Sequence, residues 1–133
     1  MLTTEQRKQA HYEMWMWCGR NPEKRKSDWP GLKDYKPEDY KNDSLCFACV
    51  EAIELKKHTQ SNIRKCNHCP IDWGKINNTP HSKCTSRNAL YDMWYFLYFT
   101  AKIYLKHNVS KEEIRKTLFK RSIIAFIIAN KWR

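Results

Sequence analysis

Glycine is scarce in this chain, with three residues in 133 positions, and proline adds only five. So little of either excludes collagen-like and Gly/Ser-linker architectures and leaves few tight turns from which to build hairpins. Long apolar runs are missing as well. The longest uncharged stretches, Met93–Ala101 and Ser122–Asn130, fall well short of the roughly 20 residues a spanning helix needs. A mean hydropathy of −0.83 agrees, so no membrane partner is expected. The opening MLTTEQRKQAHYEMW has no apolar stretch leading to a small-residue cleavage site, so no export signal is expected. The expected location is the cytoplasm, where cysteines stay reduced. Internal repeats, low-complexity tracts, a phosphate-binding glycine loop and a serine elbow are absent too.

Acidic residues are in short supply, 14 against 25 basic ones, for a formal net charge of +11. The shortage is local. Residues 1–43 carry nine basic and eight acidic side chains, residues 44–101 seven and four, and residues 102–133 nine and two. The last segment therefore holds +7 of the total, which favours anionic partners.

Aromatic residues, at 14% with six Trp and seven Tyr, are plentiful, and they suit a compact, mainly α-helical single domain over residues 1–133. Thr3 with Gln6 forms a T-x-x-Q capping box ahead of a helix to about Cys18. Gly19 reads as its stop, and Asn21-Pro22 as the cap and first position of a short second helix. Trp29 to Asp43 reads as an ordered loop pinned by Trp29, Tyr35 and Tyr40. Residues 44–87 form a zinc-knuckle or zinc-ribbon-like insertion, in which CFACVEAIELKK runs from a cysteine turn into a helix. Two long helices close the chain over about 88–130. Apolar residues almost encircle the first, which predicts burial. The second starts at Ser110 with Glu113 at N3; its first half is basic, and its second half, Ile123–Ala129, is apolar on all sides and predicted buried.

Cys46-Phe-Ala-Cys49 and Cys66-Asn-His-Cys69 are two C-x2-C pairs separated by sixteen residues. Two-residue spacing lets both sulfurs of a pair reach one ion from a tight turn, and two pairs close a tetrahedral shell. A structural Zn2+ on Cys46, Cys49, Cys66 and Cys69 is the expectation. His81-Ser-Lys-Cys84 repeats the spacing, so Cys84 and His81 are alternative ligands, whereas His68, between two ligand cysteines, reads as solvated. The plainer alternative for all these thiols is a set of small core residues. Cys18 reads as a buried thiol.

Two patterns imitate catalysis. His11-Tyr12-Glu13 followed by Cys46-x-x-Cys49 matches the outline of a zinc deaminase, but Leu45 stands where the deaminase proline belongs. His107-Asn108 falls between two helices rather than on the ββα hairpin of a histidine–asparagine–histidine nuclease. A closed thiolate shell leaves zinc no position for an activated water. No enzyme is expected.

The elements NPEKRKSDWPG (21–31), CPIDW (69–73), LYDMW (90–94) and IANKWR (128–133) resemble those of small, cysteine-rich proteins encoded by bacteriophages and prophages, most without assigned function. The resemblance implies a host-takeover factor or an inhibitor of host defence, such as an anti-CRISPR protein, acting in the bacterial host's cytoplasm. Its partner would be a host protein or protein–RNA complex, with RNA or DNA backbone contacts. The expected working surface is Lys111, Arg115, Lys116, Lys120 and Arg121 on the last helix; a solvated helix face is its bland alternative. A zinc-stabilised nucleic-acid-binding protein modulating transcription or RNA is the rival function.

Overall fold

A computed structural model describes residues 1–41, 44–59, 68–76, 79–80, 84–85 and 88–133. The chain is mainly helical. Helix α1 spans Thr4–Arg20, α2 Pro37–Tyr40, α3 Phe47–Thr59, α4 Leu90–Lys106 and α5 Lys111–Ala129. Short 3-10 turns occupy Lys26–Asp28 and Pro30–Asp34, and a two-stranded antiparallel pair joins β1 (Lys75–Ile76) to β2 (Thr79–Pro80). Among the described residues no helix is long and apolar enough to cross a membrane.

Local chemistry explains the helix ends. The Thr3 side chain accepts from the Gln6 amide at 3.1 Å, and the Gln6 side chain accepts from the Thr3 amide at 2.8 Å, which completes the predicted capping box. Ser110 caps α5 by accepting from the Glu113 amide at 3.3 Å. Between α4 and α5 the chain turns through Asn108 at φ 54, a left-handed conformation that Asn tolerates. There Val109 N donates to the Tyr104 carbonyl at 3.0 Å and Asn108 N to that of Leu105 at 3.3 Å, the paired bonds of a Schellman cap.

Two expectations near Gly19 are corrected. The glycine does not stop α1, which continues to Arg20. It lies buried where α5 crosses, and a methyl group there would overlap the Phe126 ring. Nor does Asn21-Pro22 open a helix: Asn21 caps the end of α1, with its side-chain amide donating to the Trp17 carbonyl at 2.9 Å.

α1 packs against both α5 and α3. Ala10, Met14, Trp15 and Cys18 of α1 meet Ile124, Ala125 and Ile128 of α5 and Phe47 and Ala48 of α3 in one core. A buried ion pair, Arg7 Nε to Glu51 Oε2 at 2.6 Å, ties α1 to α3, and Thr4 Oγ1 donates to the other carboxylate oxygen at 2.7 Å. Phe47 is ringed by Trp29, Tyr35 and Tyr40, with centroids 5.1–6.3 Å away. The ordered loop expected from Trp29 is thus pinned by the aromatics the sequence nominated and contains a 3-10 turn and α2, with its residues 42 and 43 outside the described ones.

The chain end closes the structure. Asp72 N donates to the Lys131 carbonyl at 3.1 Å and Arg133 N to the Pro70 carbonyl at 2.8 Å, with Ile71 and Trp132 paired as an antiparallel bridge. Leu90 N donates to the Trp73 carbonyl at 3.1 Å. CPIDW, LYDMW and IANKWR, remote in sequence, are therefore neighbours in space.

The predicted burial of α4 is wrong. Trp94 is its buried residue, while Tyr95, Phe96, Phe99, Ile103 and Leu105 are exposed. A helix that packs mainly along one partner, here α5, covers one stripe and leaves the rest open. The apolar half of α5, packed between α1 and α4, is covered on those sides only: Ile124, Ala125 and Ile128 are buried, and Ile123 and Ile127 face out.

Candidate metal centre and basic face

Cys46 enters α3 from a strained turn. Leu45 before it has φ 50, an uncommon backbone for a branched residue. Cys46 N donates to the Tyr40 carbonyl at 2.6 Å. Cys49 N then donates to the Cys46 sulfur at 3.3 Å. A hydrogen bond from the Cys49 side chain holds the Cys46 thiol below its ordinary range, against the opposing effect of burial. Burial pushes the Cys69 thiol up to about 11, and the Cys49 and Cys84 sulfurs add to the rise. Cys46, Cys49 and Cys84 line one cavity of about 160 Å³ together with His11 and Trp73. The predicted ligands Cys46, Cys49 and Cys69 and the alternative Cys84 thus share a neighbourhood.

Cys66 and His81 lie outside the described residues. Among the described residues no three His, Cys, Asp or Glu side chains are close enough together to hold a metal ion. The donor chemistry still fits zinc, since thiols tied to one ion by two-residue spacing are its preferred structural ligands. His68 departs from the solvated reading: its Nε2 is buried and, among the described residues, has no hydrogen-bond partner. Cys18 is buried, and burial raises its thiol to about 12, which makes it inert at neutral pH.

On the last helix the sequence is partly corrected. Lys111, Arg115, Lys116 and Lys120 are exposed. Arg115 and Lys116 reach Glu112 and Glu113 only at 3.7 and 3.9 Å, in solvent, where such pairs contribute little. Arg121 is not a surface residue. It is 1% exposed, donates from Nη1 to the Pro22 and Lys24 carbonyls at 2.5 and 2.7 Å, and from Nε to the Trp94 carbonyl at 3.0 Å. Its place one helical turn from Thr117 and Ala125, both buried, puts it on the inner stripe, so it cannot contact a phosphate backbone from the outer face. The signal was available in the helical period; the charge masked it.

His11, the imitation deaminase histidine, is a core residue. Its Nε2 lies 2.9 Å from the Ile128 carbonyl, and burial lowers its pKa to about 4. Comparisons with protein families, with curated proteins and with solved structures find no match for this chain.

Proposed function

We propose that this is a non-enzymatic, phage-encoded interaction protein, stabilised by a structural zinc ion, that binds and inhibits a host nucleoprotein complex such as a CRISPR effector with its guide RNA. The observation that carries the reading is the split character of α5. Ile124, Ala125 and Ile128 anchor its second half in the core, and this rigid base presents Lys111, Arg115, Lys116 and Lys120 to solvent. Four fixed cations on one half-helix suit an RNA backbone or the acidic rim of an RNA-binding protein. Zinc would be held by Cys46, Cys49 and Cys69, with Cys66 or Cys84 completing the shell. In that role the ion would tie the start of α3 to the Cys69 stretch of chain and leave no open position for chemistry.

Affinity capture from bacterial lysate, with and without nuclease and across a salt series, tests the reading. Retention of one nucleoprotein after nuclease treatment, with weak salt dependence, supports it. Steeply salt-dependent binding to naked RNA or DNA alone would favour the rival, a zinc-stabilised nucleic-acid-binding protein.

A further inference from the structure

Lys26 and Arg121 are both buried, at 8% and 1% exposure, and both line one open cleft of about 300 Å³. Among the described residues neither has an ion-pair partner, and no acidic side chain of those residues lines the cleft. Lys26 Nζ donates to the Ser44 carbonyl at 2.8 Å and lies 4.6 Å from the Tyr91 ring centre. Arg121 donates to three carbonyls and stacks 3.9 Å over Trp94. Carbonyls and ring faces satisfy donors, but they leave two net positive charges out of water, and buried Lys and Arg are nearly always paired. Burial pulls the Arg121 guanidinium down to about 10, against the smaller opposing effects of Cys18, Tyr98, Tyr91 and Glu23. Trp94 lines the same cleft, and its indole N–H is buried with no acceptor among the described residues. Among the described residues the cleft offers no anion for these cations and no acceptor for that N–H.

Its mouth is aromatic. Tyr95 and Phe99 line it, each nearly half exposed, with ring centres 5.1 Å apart. The volume is at the lower end of small-ligand sites, which run from about 300 to 1,000 Å³. A carboxylate from a partner protein would meet the charges and leave these rings bare. A nucleotide supplies both an anion and a planar face to stack.

We propose that this cleft, between the Lys26–Asp28 turn, Ser44–Leu45 and α4, takes one nucleotide of an RNA strand, its phosphate toward Lys26 and its base against Tyr95 and Phe99. The inference rests on the reading that the partner carries RNA, and names the element of that RNA which is bound. Two calorimetric titrations of the full chain separate the two ideas, one with mononucleotides and one with a single-stranded RNA decamer. AMP is expected to bind, with adenosine weaker by about tenfold or more for want of the phosphate. Lys26→Met, and separately the exposed pair Tyr95→Ala with Phe99→Ala, should each weaken AMP by about tenfold with helical circular dichroism unchanged. The exposed pair serves even if Lys26→Met does not fold. Failure to bind AMP while the decamer binds overturns the cleft and leaves the basic face standing. Adenosine binding as tightly as AMP, or AMP binding indifferent to the aromatic pair, also overturns it. A capped Glu-Tyr dipeptide that binds where AMP does not would assign the cleft to a protein side chain and overturn the nucleotide.

Discussion

The Arg121 guanidinium lies over the Trp94 ring, 3.9 Å from its centre, while its Nε donates to the carbonyl of that same residue at 3.0 Å. With the Pro22 and Lys24 carbonyls also accepting from it, one side chain joins α5, α4 and the segment after α1. Arg121→Ala should therefore cost about 3 kcal/mol of stability, through the loss of three charge-assisted bonds and of packing. Arg121→Lys should recover little, because an ammonium lacks the planar fork that reaches three carbonyls and a ring face. Urea unfolding of both variants checks this; near-parent midpoints would mean that Arg121 is not a structural joint.

His11 sets a pH dependence. Its folded pKa of about 4 lies below the ordinary 6.5, with burial the main cause and the Ile128 carbonyl opposing. The unfolded chain thus binds a proton that the folded chain refuses, and stability falls as pH drops from about 6.5 to about 4, by about 3 kcal/mol in all. His11→Gln should lose that portion of the slope and keep any due to other groups. Unfolding free energies at pH 7 and pH 4.5 for parent and variant give the difference.

At Gly19 the usual preference is reversed. Replacing a helical glycine by alanine ordinarily stabilises by about 1 kcal/mol, but here a methyl group would overlap the Phe126 ring. Gly19→Ala should lower stability by about 1–3 kcal/mol. Adding Phe126→Leu should return part of the loss, as a thermal-melt cycle would show.

Metal content tests the cysteine cluster. Protein purified without added metal should carry close to one zinc per chain. Cys46→Ser should lose it and unfold the protein far more than Cys18→Ser, since a structural zinc contributes on the order of 10–16 kcal/mol of apparent binding energy. A cooperatively folded, metal-free parent would refute the site.

Much of the fold was legible. N-caps are local chemistry, so the starts of α1 and α5 could be read from Thr3, Gln6, Ser110 and Glu113 alone. The aromatic ring around Phe47 was half legible, in that Trp29, Tyr35 and Tyr40 were identified but not their common target. What failed depended on partners distant in sequence. Gly19 looked like a stop because nothing local announces the Phe126 ring across it. The apolar girdle of α4 looked buried because composition counts apolar residues and not neighbouring helices. Arg121 looked like surface because charge usually means solvent, and only its place on the inner stripe of α5 says otherwise. The thiols were nominated by spacing; Cys46, Cys49 and Cys84 line one cavity with Cys69 within electrostatic reach, but among the described residues no three are close enough to hold an ion, and Cys66 and His81 lie outside those residues.

The proposed binding face meets its most direct test in the triple variant Lys111→Glu, Arg115→Glu, Lys120→Glu, assayed for binding to the nucleoprotein target or, in its place, a single-stranded RNA decamer across a salt series. All three side chains are exposed, so zinc content and helical circular dichroism should match the parent. Binding should fall by more than about tenfold at low salt, and on RNA the log–log salt slope should shrink by about 2, at roughly 0.7 for each phosphate no longer neutralised. A folded, zinc-loaded triple variant that binds like the parent, with the same salt slope, would contradict the account.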